Sequence, residues 1–353
     1  MALVTRLLPA GAAALRSGGF FQKASVHTSS SRSLMYGFWA YILGERILPK
    51  FKTYSKIFTV EGNLSSGKGA LAQKLADKLG MLYMPEADTH YMDRVNGEKE
   101  PLHQDFNGMC SLEKFYLDPK APDGNSYRLQ LWMYLMRLMQ YSDALEHLLC
   151  TGQGVILERS HFSDFVFLDA MFKQGYIRKE CVQHYNELKY ISISEFLPPH
   201  LVIYIDVPAE EVQNRLKLSG KSYLQNVPLE YLKAIENSYK KTFLPSIEET
   251  SEVFICDSTQ AQDVDRVIEE IEHLKFGKKP WVEQTAVSLH ELRMLVQDKR
   301  EVANMTHIPV FLPEITIGAH EFTHKYFAYR SLPGKKYATG FNEDIGDKYI
   351  WLK

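Results

Sequence analysis

Eight residues, Gly62-Asn63-Leu64-Ser65-Ser66-Gly67-Lys68-Gly69, constrain this chain more than any other stretch. The β-type run Ile57 to Val60 precedes them. After them Leu71, Leu75 and Leu79 share a helical face with Ala72 and Ala76 alongside, and Gly80 stands where a helix would end. A G-x4-G-K turn between strand and helix is a phosphate cradle: glycines let backbone N–H groups turn inward, the helix N-terminus favours anions, and the lysine reaches terminal phosphates. Four more β-type runs, Met81 to Met84, Val155 to Leu157, Leu201 to Asp206 and Val253 to Ile255, alternate with helical stretches. That alternation predicts an α/β fold with a five-stranded parallel sheet and helices on both faces. One part of the cradle is missing. Where a Ser or Thr hydroxyl would hold Mg²⁺ beside the phosphates, the chain has Gly69, a loss that weakens phosphoryl transfer more than nucleotide binding.

In an open α/β sheet the carboxyl ends of the strands line the ligand crevice. Glu158-Arg159-Ser160, followed by Asp164, stands at the end of the third run, so Glu158 and Arg159 are expected in the same cleft as Lys68. Glu86, just past the second run, would enter from the other side. The stretch Leu129 to Leu149 is apolar nearly all round and reads as a helix buried in the middle of the fold. Glu86 to Ser126 is weakly patterned and interrupted by Pro101, Pro119, Pro122 and Gly124, so this insertion is expected to cover something rather than form core.

Both ends depart from this alternation. Residues 1–33 contain Arg6, Arg16, Lys23 and Arg32 and no acid, the composition of a mitochondrial transit peptide. Residues 34–56 open with an aromatic-rich run, Leu34 to Leu43, suited to docking on a partner or the chain's own domain, with a membrane surface as the alternative. After the domain expected over 57–275, residues 276–353 carry Trp281, Phe311, Tyr326, Phe327, Tyr329, Tyr337, Phe341, Tyr349 and Trp351. So many rings must be buried, either against this domain or on another protein. A formal charge of −2 argues against nucleic-acid binding, and no run of ~20 apolar residues predicts a membrane span. The four cysteines lie at least 31 positions apart, which excludes a closely spaced zinc or iron–sulfur motif and reads as reduced, mostly buried thiols.

The phosphate loop, Pro85-Glu86, Gln130 with Arg137, Glu158-Arg159-Ser160 with Asp164, and Pro228-Leu229-Glu230-Tyr231-Leu232 resemble, in order and spacing, the deoxynucleoside kinases. The resemblance covers about residues 57 to 274 and implies a P-loop nucleoside-kinase-like fold. It implies that Glu86 is the position of the base that activates the 5′-hydroxyl and that Arg159 contacts the 5′ oxygen. Gln130 and Asp164 would read the nucleobase, Arg137 would support base and phosphate, and Glu158 would help hold Mg²⁺. Gly62, Asn63, Ser65, Ser66, Gly67, Lys68 and Gly69 would cradle the phosphates. The lid departs from the family: members carry Arg-Gly-Arg and then paired acids before the Pro-Leu-Glu-Tyr-Leu segment, whereas here Ser219-Gly220-Lys221-Ser222-Tyr223-Leu224 leaves Arg215 and Lys221 as the cations in register. Loss of an arginine that stabilises a transferring phosphoryl group can cost on the order of 10³ in rate.

A kinase-like domain with an altered lid, a transit peptide, an aromatic N-terminal segment and a long tail is similar to the kinase-like accessory subunits of mitochondrial respiratory complex I. That likeness implies a peripheral subunit on the matrix side of the inner membrane, in contact with other complex I subunits, serving assembly and stability without carrying electrons. The alternative is an active mitochondrial deoxynucleoside kinase with an unusual lid. The expected ligand is ATP, ADP or a deoxynucleotide, with or without Mg²⁺. FAD stays open through its pyrophosphate, although no glycine-rich dinucleotide fingerprint supports it.

Overall fold

All six residues of β1 (Ile57–Gly62) are buried, which a strand achieves only when both faces of its sheet are covered. The computed structural model describes residues 36–335. In it β1 joins β2 (Leu82–Met84), β3 (Val155–Glu158), β4 (Leu201–Asp206) and β5 (Glu252–Asp257). The sheet order is β2-β3-β1-β4-β5 and every pairing is parallel. The five expected strands therefore form the expected five-stranded parallel sheet. Because β1 is central, with β3 on one side and β4 on the other, the carboxyl ends of three strands converge on the phosphate loop. The expected leader over 1–33 and the rings of Tyr337, Phe341, Tyr349 and Trp351 lie outside the described residues.

The helix after the loop, Lys68–Leu79, buries Leu71, Ala72, Leu75 and Ala76 and is closed by Gly80 in the left-handed conformation. The apolar stretch predicted over Leu129 to Leu149 is a 27-residue helix, Asn125–Thr151, one turn longer at its start. Its Ser142 hydroxyl donates to the Val296 carbonyl at 3.0 Å, placing the helix Ala286–Gln297, with Leu289 and Val296 fully buried, on the long helix. The insertion walls the cleft, but Phe115 and Cys110 also enter the core. Phe115 does so because Tyr116, Tyr176 and Tyr231 offer it an aromatic pocket, with centroids 5.0 to 6.2 Å away.

The two ends divide between the alternatives posed for them. Trp281 stacks on His200 at 3.9 Å and its Nε1 donates to the Pro198 carbonyl at 2.7 Å. The first part of the C-terminal extension thus wraps back onto the domain. Farther on, the helix Ala319–Ser331 leaves Phe322, Tyr326 and Phe327 exposed. At the other end Tyr36 is buried beneath the Arg293 guanidinium, 3.7 Å from its ring centroid, whereas Phe38, Trp39, Ile42 and Leu43 face outward. Cys110, Cys181 and Cys256 are buried free thiols. No helix among the described residues is long and apolar enough to cross a membrane.

Candidate functional site

The loop that ends β1 is shaped by two glycines. Gly67 has φ +90°, and a Cβ on Gly62 would lie 2.7 Å from the Ser66 hydroxyl, so the turn closes only without side chains there. Asn63 is buried behind the loop, where its Nδ2 donates to the Leu232 carbonyl at 3.0 Å and its Oδ1 accepts from the Leu64 N–H at 2.8 Å. The Pro-Leu-Glu-Tyr-Leu segment therefore braces the cradle from below. In front of it opens a cleft of about 400 Å³, lined among others by Ser65, Lys68, Glu86, Gln130, Arg137, Arg159 and Lys221.

Glu86 is the hub of this cleft. Its Oε2 lies 3.1 Å from Lys68 Nζ, while its Oε1 takes Arg159 and, at 3.3 Å, Arg137. Burial pushes the Glu86 carboxyl up, but Arg159, Lys68 and Arg137 together outweigh it and hold the group well below the usual carboxylate range. A carboxylate so strongly held ionised is a weak proton acceptor near neutral pH. Lys68 moves down for related reasons, since burial and the nearby Arg159 charge outweigh the pull of Glu86. Arg159 itself sits at φ +60°, a left-handed turn at the end of β3 that costs about 1 kcal/mol or more for a side-chain-bearing residue. The turn is held by Arg159 donating to the Gly62 carbonyl at 2.9 Å.

Asp164 is fully buried, with no solvent contact. It receives Arg137, the Gln130 amide at 2.6 Å and the Tyr185 hydroxyl at 2.6 Å. Burial pushes the Asp164 carboxyl up, and Arg137 with these hydrogen bonds recovers only part of that. Gln130 and Arg137 reach the cleft while Asp164 holds them from behind.

The residues do not fit a Mg²⁺ site with two protein ligands. Glu158 accepts from the Tyr83 hydroxyl, and a Cβ built on Gly69 would come within 2.7 Å of the Glu158 carboxylate. The space a hydroxyl would need at position 69 is therefore taken by the Glu158 carboxylate, and no group of three His, Cys, Asp or Glu poised for a metal occurs among the described residues. Arg215 lies outside the cleft lining. It donates to the Ser65 carbonyl at 3.2 Å and to Ser258 Oγ at 2.5 Å, and pairs with Glu211. Lys221 lines the cleft and is exposed.

Three contributors escaped sequence reasoning. Tyr185 fixes Asp164 from the helix Lys179–Ile193. Tyr83 holds Glu158. Phe167 lies under both guanidiniums, with ring centroid distances of 5.1 Å to Arg137 and 4.8 Å to Arg159.

The Glu86 pairing has a pH signature. Its folded pKa lies below its ordinary value of 4.5, so the ionised cluster stabilises the fold above that pH and the contribution is lost as pH falls toward the folded value. Glu86→Gln is expected to melt at a lower temperature than the parent at pH 7, with the gap narrowing toward about pH 2. Thermal melts across that range check it, and a gap that stays constant would mean Glu86 is not held ionised.

Comparison with known proteins follows the same lines. The family described as deoxynucleoside kinase matches residues 58–275. The NADH dehydrogenase (ubiquinone) 1 alpha subcomplex subunit 10 of Bos taurus is 56% identical over 328 residues, covering 93% of this chain and 96% of that protein. The protein of the same name from Mus musculus is 55% identical over 349 residues, covering 99% and 98%. A deoxyguanosine kinase of Dictyostelium discoideum is 30% identical over 229 residues, covering 64% and 72%.

Proposed function

The chain belongs to the deoxynucleoside kinase family, and from that premise we propose that it serves as an accessory subunit of mitochondrial respiratory complex I, the NADH:ubiquinone oxidoreductase. In this reading the kinase fold is degenerate. It keeps a polyphosphate cradle and does not transfer phosphoryl groups. The observation that carries the loss of catalysis is how the cations are used. Among the described residues the cleft is lined by Lys68, Arg137, Arg159 and Lys221, and the first three converge on Glu86. The lid supplies only exposed Lys221, so little mobile positive charge remains to follow a phosphoryl group between donor and acceptor. The likeness over nearly the whole chain to proteins named as mitochondrial NADH dehydrogenase (ubiquinone) alpha subcomplex subunits supports the assembly role.

The ligand we assign is a nucleoside di- or triphosphate, with Gln130 and Arg137 toward the base and Lys68 with the loop N–H groups toward the phosphates. Binding does not require Mg²⁺. Residues 57–275 form the kinase-like domain, and 34–56 and 276–353 are extensions that dock on other complex I subunits at the matrix face of the inner membrane. Exposed Phe38 and Trp39, and Phe322 and Phe327, suit buried anchors in such interfaces.

Two measurements test this. Purified protein given ATP, Mg²⁺ and each deoxynucleoside is expected to show only background phosphorylation. On native gels of solubilised mitochondria the chain is expected to migrate with complex I. Brisk phosphoryl transfer abolished by Glu86→Gln, together with migration as a small free protein, would favour an active mitochondrial kinase.

A further inference from the structure

The loop that follows Glu86 is shared between two structures. Ala87, Asp88 and Thr89 line the cleft. The indole of Trp132 donates to the Thr89 carbonyl at 2.8 Å, and Arg94 pairs with Asp88 at 2.8 Å, so this stretch is tied into one piece. Its outer end is gripped by the C-terminal extension. Tyr329 donates to Asp93 at 2.7 Å, Lys335 pairs with the other oxygen of Asp93, and Phe106 packs on the Tyr329 ring at 5.7 Å.

A further contact is backbone on backbone. The Gly97 N–H donates to the Pro333 carbonyl at 2.6 Å. A Cβ on Gly97 would lie 2.8 Å from the backbone of Pro333 and Gly334, and neither can yield as a side-chain tip would. Farther back, the Glu314 carboxylate takes Arg178 at 2.6 and 3.0 Å and the Glu314 carbonyl accepts from Arg128 at 2.8 Å, fixing the strap where it leaves the domain. One loop thus forms a wall of the cleft on one side and the seat of the strap on the other.

We propose that nucleotide occupancy of the cleft and seating of the strap 319–335 on the 93–97 loop are thermodynamically linked, so that each strengthens the other. This rests on the nucleotide-binding reading above and adds its regulation. A ligand that orders 87–89 stabilises the loop in the shape the strap needs, and by reciprocity a seated strap raises affinity. The helix Ala319–Ser331 carries the exposed rings Phe322, Tyr326 and Phe327. The linkage therefore makes the presentation of an apolar docking face responsive to nucleotide, with no phosphoryl transfer required.

Hydrogen exchange on the full-length chain, with and without saturating ATP or dATP, tests this. Amides of 62–69 are expected to be protected by direct contact, and amides of 319–335 to be slowed as well although none of them lines the cleft. Gly97→Ala is expected to weaken ATP binding about five-fold or more and to abolish the slowing in 319–335. Tyr329→Phe, which removes a single hydroxyl, is expected to act in the same direction and covers the case in which the alanine variant fails to fold. Protection confined to 62–69, or unchanged affinity in both variants, overturns the linkage and leaves nucleotide binding intact. No protection anywhere removes nucleotide binding and the linkage together.

Discussion

Lys68→Met is expected to reduce affinity for ATP and dATP on the order of 100-fold while leaving the fold in place. The size follows from where the lysine stands. Lys68 is buried at the start of its helix and touches Glu86, and both burial and the Arg159 charge disfavour its ionised form. A polyphosphate supplies the negative charge that the site lacks, so the ammonium is worth far more with ligand bound than without. Truncating one partner of a desolvated charge pair costs about 2–5 kcal/mol. Stability moves little, because Glu86 retains Arg159 and Arg137 and methionine keeps the apolar stem. Calorimetric titration checks both halves, and binding equal to the parent's would remove the cradle from the account. In the same titration a chelator is expected to matter far less than the lysine, since Gly69 offers no ligand and Glu158 is engaged by Tyr83.

The contrast between Lys68 and Asp164 shows how much a sequence reveals of such a site. Lys68 was legible because phosphate binding by a backbone turn is a local property: strand, glycines, lysine and helix are consecutive, and the spacing alone brings them together. The five strands were legible for a similar reason, each being a short apolar run of consecutive residues. Contacts made by tertiary closure left no such trace. Tyr185 reaches Asp164 from a separate helix, Tyr83 reaches Glu158 across neighbouring strands, and Gly97 meets Gly334 across most of the chain. Nothing in the neighbours of those residues distinguishes them from core tyrosines or loop glycines. The division of the C-terminal extension into a half that wraps back and a half that displays rings was also beyond composition, which records that aromatic area must be buried but not by what.

Asp164→Ala is expected to cost about 3–5 kcal/mol and to lower the melting temperature by roughly 10 °C. Asp164 has no solvent contact, and its carboxylate is the meeting point of Arg137, Gln130 and Tyr185. Alanine leaves the Arg137 guanidinium buried with only Glu86 at 3.3 Å, strands the Tyr185 phenol without its acceptor, and leaves the Gln130 amide only the backbone carbonyl of residue 164 at 3.2 Å. Released from Asp164, Arg137 and Gln130 lose their orientation toward the cleft, so nucleotide affinity is expected to fall along with stability. Asp164→Asn keeps the shape and one acceptor oxygen but removes the charge, and is expected to recover part of the stability and little of the order at Arg137. The two effects separate the roles of the residue. If Asp164→Ala melted within 1–2 °C of the parent, the network would be solvated and Asp164 would act on a ligand directly. A large loss of stability with Asn intermediate between parent and Ala places it behind the cleft, as the support on which the base-facing side chains stand.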